Sequence, residues 1–163
     1  MGSMNHHPDF TIQYGSYSIG KHPFEFEIVN SFFDSFPESD IKKAKLIVEL
    51  IMNRQDRHLE FDLQIKGDVL LPCDRCLEEF AIPVNAEYKL YGKFGEGRND
   101  NELDVLWIPS HHHQVNLMQH FYEYVILSIP IRRFHPDKSD GSSGCNPEMI
   151  SFLENYQTNE IEE

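Results

Sequence analysis

The sequence predicts an α+β fold: a mainly antiparallel sheet, either open or curled toward a partial barrel, with one principal covering helix and a second, C-terminal helix. Three observations carry this expectation. Apolar and polar residues alternate strictly through the middle of the chain, a helical repeat opens at Leu117 and is stopped by Pro130, and Pro147 occupies a position suited to starting a last helix. With 163 residues and 40% hydrophobic content, the chain fits a single domain over 1–163 that can bury a core without disulfides.

Taken in order, Met1-Gly2-Ser3-Met4 reads as a vector-derived remnant ahead of a natural Met4 and is left out of fold reasoning. Strands are expected at Phe10 to Ile19 and Phe24 to Val29, followed by NSFFDSF, where Asn30 would cap a short helix presenting Phe32, Phe33 and Phe36. Ala44, Leu46, Val48, Leu50 and Met52 then alternate, and the polar turn Asn53 to Arg57 folds this strand back on the next. That next strand puts Leu59, Phe61, Leu63, Ile65, Val69 and Leu71 on one face. After the turn PCDRCLEE, another carries Phe80, Ile82, Val84, Ala86, Tyr88 and Leu90. The three should form an antiparallel meander. Gly92 to Glu102 reads as a glycine-rich charged loop and Leu103 to Ile108 as one more strand. Asn116 and Gln119 have the spacing of a capping box, and Leu117, Phe121 and Val125 should face the sheet from a helix over 117–127. Pro136 to Gly144 reads as an exposed linker, and the last helix runs from Pro147 to about Tyr156, ahead of an acidic tail at 157–163.

The 14 basic and 27 acidic residues leave a net charge of -13. Nucleic-acid binders usually carry a basic footprint, whereas an acidic shell repels phosphate at long range and favours basic partners, ribosomal proteins among them. No stretch approaches the roughly 18 apolar residues of a membrane helix, and no apolar leader opens the chain. Three cysteines cannot all pair internally and do not form the framework of a small secreted domain. A soluble, cytoplasmic protein with no membrane partner is expected.

Cys73 and Cys76 admit three readings. A redox pair needs a helix N-terminus to acidify the attacking thiol, but the residues after Cys76 alternate as a strand. Half of a zinc knuckle fits a turn between strands, and tetrahedral zinc would then require two more ligands, for which His135 and Cys145 are the nominees. Two reduced cysteines in a tight turn remain the simplest alternative, so a cofactor is not required. His111, His112 and His113 could bind a transition metal, though adjacent histidines in an extended loop point in different directions, and a polar loop is the better reading. Phosphate contacts, if made, would come from Arg75, Arg132 and Arg133, or from Lys42, Lys43 and Lys45, which exposed strands also use for solubility. No glycine-rich phosphate loop, nucleophile elbow or metalloprotease His pair occurs, and no enzyme is expected.

The strand entering the Cys-x-x-Cys turn in VLLPCDRCLEEFAIPV (Val69 to Val84), the helix with its Pro-containing exit in NLMQHFYEYVILSIPIRRFHP (Asn116 to Pro136), and GCNPEM (Gly144 to Met149) together resemble the YceD family in its short, Bacteroidetes-type form. The likeness runs from about Tyr17 to Tyr156. It implies a non-enzymatic role in accumulation of large-subunit ribosomal RNA, through binding of precursor RNA or an assembly intermediate. Some relatives end in a cysteine-rich segment that looks like a metal site; here that region holds only Cys145. The alternative is an acidic protein-interaction module that docks a basic partner.

Overall fold

The computed structural model describes residues 5–6, 10–96, 104–142 and 144–161. The expected class holds: the chain is α+β and mostly antiparallel. Its strands are β1 (Asn5–His6), β2 (Thr11–Ile12), β3 (Gly20–Val29), β4 (Lys43–Arg54), β5 (His58–Pro72), β6 (Glu79–Phe94), β7 (Val105–Ile108) and β8 (Val115–Asn116). Two α-helices follow, α1 (Met118–Ser128) and α2 (Pro147–Ile161). The main sheet has the order β1-β3-β4-β5-β6-β7, and β2 pairs separately with β8. The sheet is open, so the partial-barrel option is corrected: β3 to β6 run as an antiparallel meander, whereas β1 and β7 join its edges in parallel.

Period-2 alternation sorts side chains onto two faces. Phe24, Phe26 and Ile28 on β3, Leu46, Val48, Leu50 and Met52 on β4, and Leu59, Phe61, Ile65, Val69 and Leu71 on β5 are all buried on one of them. Helix α1 covers this face with Phe121 and Val125, and Leu117 just before it is equally buried. Phe26 sits at the junction, its ring 5.1 Å from Phe121 and 5.8 Å from Phe10. Replacing Phe26 by Ala should therefore cost ~4 kcal/mol, read as an unchanged slope and a lower midpoint in urea unfolding.

Several local expectations are corrected, each by a stronger competing contact. Residues 10–19 do not form one strand: after β2 the chain turns through a 3-10 helix at Tyr14–Ser16, held by hydrogen bonds from Tyr14 Oη to the His112 carbonyl and from Gly15 N to His113 O. Asn30 caps nothing; its Oδ1 accepts from Ala44 N at 2.9 Å, although the 3-10 helix Asn30–Ser35 does bury Phe32 and Phe33. The capping box opens differently, with Asn116 Oδ1 accepting from Met118 N while Gln119 donates to Glu123. Strand β6 continues to Phe94, three residues into the expected loop, because Tyr91 to Phe94 pair with β7. The rest of that loop from 97 on, with 103, lies outside the described residues, as do the suspected remnant at 1–4 and the last two residues of the acidic tail. Helix α2 runs past Tyr156 to Ile161, taking up most of that tail. Among the described residues no helix is long and apolar enough to cross a membrane.

Candidate metal centre and the surface beside it

The turn between β5 and β6 is short because its backbone closes on itself. Cys73 N donates to Glu78 O and Leu77 N to Cys73 O, each at 2.9 Å, and Leu77 takes a φ of 65°, a left-handed conformation costly for a branched side chain. The fold aims both sulfurs inward: Cys73 and Cys76 are buried, and Arg75 N points at Cys73 Sγ at 3.4 Å. The flanking strands pair directly, Leu71 opposite Phe80 and Pro72 opposite Glu79, as the alternation requires.

The exit from α1 passes this turn. Ile129 ends the helix, Pro130 prevents its continuation, and the chain is then fastened by reciprocal bonds: Asp74 N donates to Arg133 O at 2.7 Å, and Arg133 N donates to Asp74 Oδ2 at 2.8 Å. Two residues later His135 packs at a tilt against Phe80, ring centres 4.5 Å apart, with Nδ1 3.3 Å from Cys76 Sγ. The linker doubles back so closely that a Cβ on Gly144 would lie 2.2 Å from Pro136 O, and this brings Cys145 Sγ to 3.6 Å from Cys73 Sγ. Asn146 caps α2 through Glu148 N, and Met149 and Ile150 on the first turn of that helix pack on the three cysteines.

Cys73, Cys76, His135 and Cys145 thus offer ligand atoms all within 4.8 Å of one another. No disulfide joins any of the three cysteines. Two sulfurs each bonded to a tetrahedral zinc stand about 3.8 Å apart, so the separations seen here match that geometry and are far beyond a disulfide's ~2.05 Å. Burial pushes the Cys73 thiol up, but hydrogen bonds from the backbone of Cys76, Arg75 and His135 and from the His135 ring outweigh it and bring the thiol down to about 6. A thiolate is the form that ligates metal. The expected quartet is the one such group among the described residues; His111, His112 and His113 lie in an exposed loop.

Arg75, Arg133 and Phe134 gather beside this centre. Arg75 lies over the Phe134 ring at 5.0 Å, Arg133 is fastened to Asp74, and Arg132 is exposed between Arg133 and Ile131, which is 97% exposed. The Arg133 Nε is buried without a hydrogen-bond partner. Lys43 and Lys45, at the start of β4, reach the same end of the sheet, where Lys43 bridges to Glu79 at 3.6 Å; Lys42 is exposed just ahead of them. Arg54 lies at the opposite end of the hairpin, where its guanidinium donates to Tyr14 and Tyr17 carbonyls. Sequence reasoning missed the apolar part of this surface: Leu77, Ile131 and Phe134 are exposed, and only the absence of any periodic pattern placing them in the core could have marked them.

The fold and its quartet define a class: an open-sheet α+β protein whose strand-connecting turn forms a three-cysteine, one-histidine knuckle with the segment leaving its covering helix. Residues 61–161 match the model of a family described as large ribosomal RNA subunit accumulation protein YceD, and the chain belongs to that family. The matched segment includes both halves of the knuckle, α1 and α2. Comparison with curated proteins and with solved structures finds no match.

Proposed function

We propose that this chain is a non-enzymatic, cytoplasmic factor that supports accumulation of large-subunit ribosomal RNA by binding precursor RNA or an assembly intermediate at the knuckle end of the sheet. The observation that carries this reading is the family match, which spans Cys73, Arg75, Arg132, Arg133 and Cys145 in one segment. The local chemistry supports it: arginines offer forked donors to phosphate, and Phe134 offers a ring on which a base can stack. Lys42, Lys43 and Lys45 would add weaker, sequence-independent attraction.

Zinc is the metal that this donor set suits, held by Cys73, Cys76, His135 and Cys145. Its contribution would be structural, a cross-link that fixes the Arg75 turn against the Arg132 and Arg133 segment. Depleting the protein in cells should lower large-subunit RNA relative to small-subunit RNA; unchanged subunit profiles would remove the role. Purified protein should retain single-stranded RNA in a salt-dependent manner, and changing Arg132 and Arg133 to Ala should weaken retention by about tenfold, since lost phosphate contacts lower affinity across all sequences. Retention unaffected by that change would move the RNA contact elsewhere.

A further inference from the structure

The face of the sheet opposite α1 is uncovered by any described segment, and strand register sorts its side chains into rows across β3, β4, β5 and β6. One row reads Glu25, Glu49, Gln64, Glu87: Glu25 stands opposite Glu49, Glu49 opposite Gln64, and Gln64 opposite Glu87. Like charges placed directly across a strand pair destabilise a sheet. No cation in the row relieves them, and among the described residues none of the three carboxylates forms an ion pair. In the adjacent row Lys89 is engaged with Asp62 at 3.9 Å.

Three members of that row, Glu49, Gln64 and Glu87, line a hollow of about 650 Å³ together with Ile51, Asp62 and Lys89, and Glu25 lies beside it. Ile47 and Ile51, on the neighbouring rows, are 41% and 44% exposed. Branched apolar residues beside carboxylates offer what a lysine or arginine side chain needs, a surface for the aliphatic stem and an anion for the head. Phosphate would meet the carboxylates and be repelled, and a second copy would oppose one acidic row with another.

We propose that this concave face docks a lysine- and arginine-rich segment of a partner protein. The surface is separate from the knuckle end, so a cationic polypeptide and RNA could be held together, each by its own side of the molecule. The proposal does not depend on the RNA reading.

Binding of a labelled twelve-residue peptide of alternating lysine and arginine tests it. Because any polycation is attracted to a chain of net charge -13, the comparison must hold charge constant. The triple variant Glu25→Gln, Glu49→Gln, Glu87→Gln should weaken peptide binding at least tenfold. The equally neutralised control Glu78→Gln, Glu148→Gln, Glu154→Gln should weaken it less than twofold. Equal weakening in both overturns the site. The first triple should melt at or above the parent temperature, since it removes repulsion; a lower melting temperature would overturn the premise that these carboxylates oppose one another at a cost. Changing Arg132 and Arg133 to Ala should leave peptide binding intact, and loss of RNA retention in the glutamine triple would reassign the face to RNA.

Discussion

Stripping metal from protein purified without an affinity tag is expected to lower its stability by ~5 kcal/mol or more and its melting temperature by roughly 10–20 °C. The reason lies in what the knuckle holds. Cys73, Cys76 and Cys145 form a small apolar cluster with Phe80, Met149 and Ile150, linked to the main core by Phe80, and the first turn of α2 packs on that cluster. Without a cross-link, three sulfurs and an imidazole would be left facing one another with little apolar area to compensate. The protein should contain a single equivalent of zinc per chain. Cys145→Ala should lose the metal and much of the helicity of α2, while β3 to β6 keep their hydrogen-exchange protection. Native protein without zinc, melting at the same temperature in a strong chelator, would leave the quartet as reduced cysteines beside a histidine.

The second large effect is expected at Gly67, where Ala should cost at least ~3 kcal/mol, seen as a lower urea midpoint or as failure to accumulate folded protein. The backbone there has φ 144°, and an added Cβ would come 2.1 Å from Lys45 O and 2.8 Å from Leu46 Cα. Those atoms belong to the neighbouring strand, so relief would mean parting β4 from β5 in the middle of the sheet. A loss below ~1 kcal/mol, the scale of an ordinary strand glycine replacement, would show that the strands accommodate the atom.

Much of this architecture was legible because it depends on local periodicity. Leu46 to Met52, Leu59 to Leu71 and Phe80 to Leu90 carry a period of 2, interrupted at Gly67, and each became a strand whose buried face is the one the pattern names. The nominees His135 and Cys145 also came together with Cys73 and Cys76; they are the one histidine and the one cysteine in the sequence after α1. Other features depend on partners remote in sequence. Asn30 was read as a cap from its neighbours, but Ala44 takes its carbonyl. The segment 10–19 looked like a strand by composition, yet contacts to the 112–113 loop bend it. The acidic row needed the register of three strand pairs at once, which no spacing along the chain encodes. Parallel pairing of β7 was equally hidden, because the spacing of apolar residues in β6 and β7 does not encode their relative direction.

The knuckle also sets an order of events. Its contacts join residues 59 and 72 positions apart, whereas each strand of the β3 to β6 meander meets the next one in sequence across a much shorter connection. Closing short loops first is entropically cheaper, so the meander can assemble while the exit from α1 and the α2 segment are still searching. The segment that closes last in folding would be the first to open from the native state. Amides of α2 should therefore exchange through a local opening well before those of β5, and a nascent chain would carry its finished sheet, with the acidic face already formed, before the arginine-bearing end is locked.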